Sequence, residues 1–354
     1  MDNRYFPDKV VEWYDQNKRD LPWRQTRDPY KVWLSEVILQ QTRVSQGLPY
    51  YLKFIEQYPD VHALAAASEQ EVLRCWQGLG YYTRARNLHK CAKQVASAHR
   101  GIFPTSFAEL KTLPGIGDYT AAAIASISFG EQVAVVDGNV FRVLARIFGI
   151  DKPINSPEGK NHFSTLANAL ISKHPQPDIY NQAVMEFGAL HCVPKNPLCD
   201  SCPFKGICVA AMQELQHALP VKLKAKPVRK RYFNYFVIRK GNSFMMNRRV
   251  HRDIWQGLYD FYLIETPRAV KTDRLLSEDA LLKKLRAANA GKIVSRKYRH
   301  ILTHQVIIST FTVLEHGNDM KRMGNDLKLF SARKIGDLPK PVLISRFLND
   351  YRLL

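Results

Sequence analysis

The sequence predicts a multidomain chain: an all-α domain over residues 1–215, a basic linker over 216–231, and a mixed α+β domain over 232–354. Three observations carry this. A chain of 354 residues exceeds one ordinary domain and suits two. Apolar residues recur at helical spacing up to about residue 215 and follow a strand-like pattern from Tyr232 onward. Between the two regimes, residues 220–240 hold eight basic residues and no acidic one, with prolines in their first part.

In chain order, VVEWYDQ (10–16), VWLSEVILQQ (32–41), EVLRCWQGL (71–79), AAAIASISF (121–129), VFRVLARIF (140–148) and NQAVMEFGAL (181–190) predict helices. LPGIG (113–117) and VDGN (136–139) supply turns and helix stops between them. After the linker, YFNYFVI (232–238), SFMMNRR (243–249), LYDFYLIE (258–265) and QVIISTFTVLE (305–315) predict strands, with one helix at SEDALLKKLRAAN (277–289). There is no internal repeat and no low-complexity tract.

Hydrophobic residues make up 45% of the chain, enough for a sizeable core. The formal net charge of +20 points to a polyanionic partner or an anionic surface. No segment approaches the roughly 18–20 apolar residues of a membrane span, and the first twenty residues lack an apolar signal core. An intracellular protein with a nucleic-acid partner is therefore expected, without a membrane partner.

In LPGIGDYT (113–120), Gly115 and Gly117 permit a tight turn whose backbone N–H groups face outward, and the following helix adds its positive dipole end. Such a turn holds a phosphate without a cationic side chain and grips DNA without reading its sequence. Gly-x-Gly alone also serves as a plain turn between helices. The full string LPGIGxxTAxAI (113–124) is more specific and resembles the hairpin of helix-hairpin-helix DNA glycosylases.

Four of the six cysteines form a C-x6-C-x2-C-x5-C ladder at Cys192, Cys199, Cys202 and Cys208. Clustering without a secretion signal favours a metal site over disulfides. Four thiolates at this spacing hold either zinc or an iron–sulfur cluster. Lys195 and Lys205, inside the ladder, are placed to meet phosphates or simply to be solvated. Cys75 and Cys91 read as ordinary buried thiols.

Glu36 is the only charged side chain in residues 32–42. A carboxyl on a mostly apolar helix is costly to ionise, which raises its pKa and makes a general acid near neutral pH; the plainer alternative is a glutamate at an exposed helix edge. Asp137, in AVVDGNVFRVLAR, follows an apolar run and precedes a helix. It reads as an N-cap, a role compatible with stabilising a cationic sugar.

SEVILQQT (35–42), GLGYYTRARNLH (78–89), LPGIGDYTAAAI (113–124), VVDGNVFRVLAR (135–146) and NQAVMEFGA (181–189) together resemble the MutY-type adenine DNA glycosylases, over about residues 20–210. The cysteine ladder is also the pattern of MutY and endonuclease III, so the resemblance implies a structural [4Fe–4S] cluster on those four residues. It further implies Glu36 as general acid, Asp137 as electrostatic partner helped by Tyr119, and Asn139 orienting Asp137. Trp23, Arg24 and Gln182 would line the adenine pocket. Gln41 would insert into the duplex, and Tyr81 or Tyr82 would act as a stacking wedge. Bifunctional relatives carry a lysine at the Tyr119 position; a tyrosine forms no Schiff base, so purely hydrolytic chemistry is expected.

HRDIWQGLYDFYLIE (251–265) resembles the strand region of Nudix folds, but the segment after Gly257 lacks the Gly-x5-Glu-x7-Arg-Glu-x2-Glu run that holds magnesium. The resemblance therefore implies a reader domain that checks for 8-oxoguanine on the opposite strand. The family's Phe-Ser-His contact loop is replaced here by Leu302-Thr303-His304. Thr303 keeps a hydroxyl for the 8-oxoguanine edge, and Leu302 keeps an apolar wedge without a ring.

The implied activity is removal of adenine opposite 8-oxoguanine or guanine in double-stranded DNA by a monomer. It would be cytoplasmic and nucleoid-associated in a prokaryote, nuclear or mitochondrial in a eukaryote. The alternatives are a thymine-mismatch glycosylase of the same fold, a non-catalytic iron–sulfur DNA-binding protein, and a nucleotide hydrolase in the C-terminal domain. Intact Glu36 and Asp137 oppose the second, and the missing metal box opposes the third.

Overall fold

Caps and turn residues cut the first part of the chain into helices. The computed structural model describes residues 5–224, 227–287, 292–315 and 327–353. Helix α1 (Tyr5–Asn17) is followed by a 3-10 turn at Pro22–Arg24 and by α2 (Pro29–Leu39). Asp28 caps α2 by accepting from Tyr30 N at 2.9 Å. The helix stops short of the apolar run predicted to 41, because Gln40 leaves the helix and Gln41 adopts φ +54°. Next come α3 (Val44–Gln57), α4 (Val61–Ala66), α5 (Glu69–Cys75) and α6 (Thr83–Ala98). Helices α7 (Phe107–Leu110) and α8 (Asp118–Phe129) flank the LPGIG turn. Then α9 (Gly138–Phe148), α10 (Pro157–Ile171), α11 (Pro177–Leu190) and α12 (Val209–Met212) complete the helical part. Prolines open α2, α10 and α11, where their missing N–H costs nothing.

The chain divides into two compact units, Met1–Ala66 with Asn87–Ala225, and Ala67–Arg86 with Lys226–Leu354. In the first, α2 and α8 are buried almost all round, which explains why their sequences lack a polar face. Four alanines in the buried stretch of α8 let α2 pack closely against it. Phe204, fully buried, carries the cysteine loop into this core; its ring lies 5.2 Å from Phe6 and 5.3 Å from Phe187.

The second unit is built on β1 (Arg229–Lys240), so residues 229–231, expected in the linker, are already strand. Strand β2 (Ser243–Arg248) returns antiparallel through a turn at Gly241, whose φ of +55° suits glycine. The predicted strand at 258–265 is split into β3 (Tyr259–Asp260) and β4 (Tyr262–Thr266), which pair with β2 and β1 respectively. The predicted helix at 277–289 is two helices, α13 (Thr272–Glu278) and α14 (Ala280–Ala287), broken at Asp279; Ala288 and Asn289 lie outside the described residues. Strands β5 (Lys292–Val294), β6 (Tyr298–Ile301), β7 (Gln305–Glu315) and β8 (Lys328–Ser331) follow, then α15 (Ala332–Asp337) and α16 (Val342–Asp350). β1 and β7 run parallel in register from Arg229↔Gln305 to Arg239↔Glu315, and the other pairings are antiparallel, giving a mixed sheet. Phe311 stacks on Phe347 of α16 at 4.1 Å and on Tyr235 at 4.9 Å.

The segment Ala67–Arg86, helical by sequence, belongs to this second unit for side-chain reasons. Glu69 pairs with Arg248 at 2.7 Å, Gln70 donates to Gly257 O, and Arg86 donates to Gln256 O at 2.6 Å.

Candidate active site

Glu36 lies on α2, turned into the protein and only 7% exposed, so the exposed-edge alternative does not hold. The Tyr119 hydroxyl, from the first turn of α8, donates to Glu36 Oε2. Burial pushes the Glu36 carboxyl up to about 7, the Tyr119 hydrogen bond opposes this, Asp137 adds to it and Arg24 subtracts. A carboxyl with that pKa is protonated for much of the neutral range and has a proton to give.

Asp137 caps α9: Oδ1 accepts from Asn139 N and Val140 N, both at 2.8 Å, and Oδ2 accepts from Asn139 Nδ2 at 2.8 Å. Burial raises its pKa against these bonds. Asn139 is itself held, its Oδ1 accepting from Arg142 Nη2 at 2.9 Å, while Arg142 donates to Gly188 O and Cys192 O, both at 2.7 Å. Gly188 makes this possible. A methyl group there would lie 2.6 Å from Asn139 Cβ, so only glycine lets α11 meet α9 at this point.

The pocket residues divide clearly. Trp23 is buried edge-to-face against Tyr51, and Arg24 is bound by Glu186 through both its terminal nitrogens at 2.9 and 2.8 Å. Gln182 of α11 accepts from Tyr14. Gln41 is exposed and adopts a left-handed backbone conformation. Gly115 has φ +77° and no room for a side chain beside Asn87, whereas Gly117 has an extended backbone and open space around it.

The four thiols of Cys192, Cys199, Cys202 and Cys208 line one cavity. Arg146 Nη1 donates to Cys192 Sγ at 3.4 Å and Phe204 N to Cys202 Sγ at 3.4 Å, while Cys208 Sγ donates to Arg146 O at 3.3 Å. Among the described residues no three His, Cys, Asp or Glu side chains converge on a single ion.

In the second unit, Leu302-Thr303-His304 form the turn from β6 to β7, closed by Leu302 N donating to Gln305 O at 2.8 Å. Thr303 Oγ1 shares a short hydrogen bond with the Tyr81 hydroxyl. Tyr81 is 46% exposed with φ +49°, and Tyr82 is buried. Both tyrosines, Leu302 and Thr303 line a cleft of about 860 Å³; His304 is exposed beside it.

Sequence reasoning missed Tyr14, Arg19, Arg142 and Glu186. Glu186 carried a readable signal, an acid within the apolar run AVMEFGAL, the same context that singled out Glu36.

Residues 34–168, from the Glu36 helix through the hairpin and Asp137 into α10, match the family described as HhH-GPD superfamily base excision DNA repair protein. The first unit thus has the fold of a base-excision DNA glycosylase, and a thermostable thymine-DNA glycosylase structure is similar to it (28% identity, TM-score 0.55, 60% of this chain and 97% of that one). A curated adenine DNA glycosylase from Buchnera aphidicola subsp. Schizaphis graminum is 32% identical over 342 residues, 95% of this chain and 96% of its own length. The human adenine DNA glycosylase is 43% identical over 223 residues, 60% of this chain and 41% of its own. The chain belongs to the adenine DNA glycosylase family and is a DNA N-glycosylase. No described helix is long and apolar enough to cross a membrane.

Proposed function

We propose that this adenine DNA glycosylase removes adenine mispaired with 8-oxoguanine, or with guanine, in duplex DNA, by hydrolysis without a lyase step. The carrying observation is the buried Glu36 carboxyl held by the Tyr119 hydroxyl near Asp137. The target nucleotide is flipped from the stack. Glu36 gives its proton to adenine N7, the C1′–N9 bond breaks, and its electron pair leaves with the base. Asp137, pinned by Asn139, faces the resulting oxocarbenium-like sugar with fixed negative charge. The ionised Glu36 then takes a proton from the attacking water.

The DNA reading is supported by the +20 charge and by a cleft of about 740 Å³ that runs from Gly115 and Gly117 to Tyr119, with Lys111 and Lys160 on its walls. Gly117 needs neither a positive φ nor close packing within the chain, which fits a backbone kept bare for a phosphate. Cys192, Cys199, Cys202 and Cys208 would hold a [4Fe–4S] cluster. When bound it ties the loop together and supplies no electron to the hydrolysis. The second unit reads as a Nudix-like 8-oxoguanine reader, with Tyr81 rather than Tyr82 as the exposed wedge and Thr303 beside it.

The test is single-turnover base release from duplexes with adenine opposite 8-oxoguanine, guanine or thymine, with and without hot alkali. Adenine release opposite 8-oxoguanine, with strand breakage only after alkali, is expected. Breakage without alkali would overturn the hydrolytic reading, and equal release opposite thymine would overturn the reader.

A further inference from the structure

Arg24 and Gln182, the two polar side chains read into the adenine pocket, are tied into one buried network by Tyr14 and Glu186. Glu186 is 1% exposed on its side chain, and both its oxygens are taken. Arg19 donates from N, Nε and Nη2 at 3.0, 2.8 and 2.5 Å, and Arg24 from both terminal nitrogens. Burial alone would raise the Glu186 pKa; the Arg19 and Arg24 hydrogen bonds outweigh it and hold the carboxyl at about 2. The clamped Arg24 guanidinium lies 5.5 Å from the centre of the Tyr14 ring, and the Tyr14 hydroxyl donates to Gln182 Oε1 at 3.3 Å.

The Gln182 amide is therefore directed. Its Nε2 donates to Asp178 O at 3.2 Å, and a carbonyl only accepts, so the amide turns its NH2 there and its oxygen to the Tyr14 hydroxyl. One Oε1 lone pair and one Nε2 hydrogen remain. Gln182, Met185 and Glu186 share one face of α11, and Met185 Sδ lies 3.8 Å from the Tyr119 hydroxyl that binds Glu36. Gln182 thus lies one turn of α11 from the residue that touches the acid's hydroxyl partner.

We propose that Tyr14 is a specificity-determining positioning residue: with Glu186 clamping Arg24 over its ring, its hydroxyl fixes the Gln182 amide so that Oε1 meets an exocyclic amino group and Nε2 a ring-nitrogen acceptor. Adenine presents that pair at N6 and N1. Guanine presents the reverse, an oxygen acceptor beside an N1–H donor, and meets like against like. The assignment deepens the adenine reading and rests on the flipped base reaching Gln182.

The test compares single-turnover release of adenine with release of purine, which is adenine without its exocyclic amine, each opposite 8-oxoguanine. Wild type, Tyr14→Phe and Gln182→Ala are measured as full chains. Tyr14→Phe keeps the ring under Arg24 and is expected to lower the adenine-to-purine rate ratio about 3- to 10-fold, with the purine rate held within about twofold. General structural damage would slow both bases and leave the ratio alone. Gln182→Ala is expected to lower the ratio at least as far. An unchanged ratio in either variant overturns the assignment of Tyr14 while leaving the glycosylase reading intact. Failure of wild type to release either base overturns the substrate reading, and this assignment with it.

Discussion

The Tyr119 hydroxyl donates to Glu36 Oε2 and thereby works against burial, which alone would hold the acid's proton even more tightly. The proposed reaction needs Glu36 protonated and Asp137 ionised, so the single-turnover rate should be highest just below about pH 7 and fall roughly tenfold per pH unit above it. Tyr119→Phe removes the bond that favours the carboxylate, so the alkaline limb should move to higher pH. A limb that stays put or moves down would detach Tyr119 from the acid.

The same buried acid carries a stability cost with a definite sign. Its pKa in the folded chain, about 7, lies above the ordinary 4.5, so its contribution is most favourable below about pH 4.5 and is lost as pH rises through 7. The shift corresponds to roughly 3 kcal/mol. Glu36→Gln, which cannot ionise, should therefore gain about that much over wild type between pH 4.5 and 8 while losing roughly 10²–10⁴-fold in activity. Urea denaturation of both proteins at the two pH values measures it.

Gly188→Ala tests the support of Asp137 without touching either carboxylate. The added methyl would sit 2.6 Å from Asn139 Cβ and 3.1 Å from its backbone, and neither can yield without moving the cap of α9. A loss of about 1–3 kcal/mol of stability is expected from such overpacking, with a larger fall in base release than in DNA binding. Full activity would show that Asn139 has slack.

How much of this was legible in the sequence follows from how local each signal is. Glu36 and Asp137 announced themselves because each is a lone acid in a revealing local setting, an apolar helix and a helix start. Glu186 has the same local mark, but its meaning lies in Arg19 and Arg24, 167 and 162 residues away, and no spacing rule reaches that far. Tyr81 and Tyr82 are indistinguishable by type; only the left-handed backbone at Tyr81 separates the exposed ring from the buried one. The strands that went unread, β5, β6 and β8, have three or four residues each, too few for an alternating pattern to register. The grouping of Ala67–Arg86 with the sheet depends on contacts such as Glu69 with Arg248, again 179 residues apart.

The cysteine loop makes a prediction about composition. Four thiols around a shared cavity, with N–H groups already aimed at two of the sulfurs, should yield a chain carrying iron and acid-labile sulfide in about equal amounts, with a broad visible absorption. Stoichiometric zinc instead would overturn the cluster assignment. Cys199→Ser, on the loop's partly exposed side, should lower iron content and DNA affinity together, because Phe204 anchors the same loop to the core and cannot alone order the rest.

Gly117 separates the needs of the fold from those of the partner. Its φ of −96° is open to any residue, and a methyl group there would meet nothing within 4 Å. Gly117→Ala should therefore leave thermal stability within about 1 kcal/mol of wild type. If a phosphate approaches this backbone, the same methyl intrudes on it, and DNA affinity should fall several-fold at every salt concentration. The slope of log affinity against log salt should hardly change, since no cation is lost. Gly115→Ala contrasts with it: φ of +77° and the Asn87 side chain at 2.6 Å make that change costly to the fold itself. Binding unaffected by Gly117→Ala would place the DNA elsewhere on the first unit. A loss of binding with stability intact assigns the bare backbone at 117 to the phosphate.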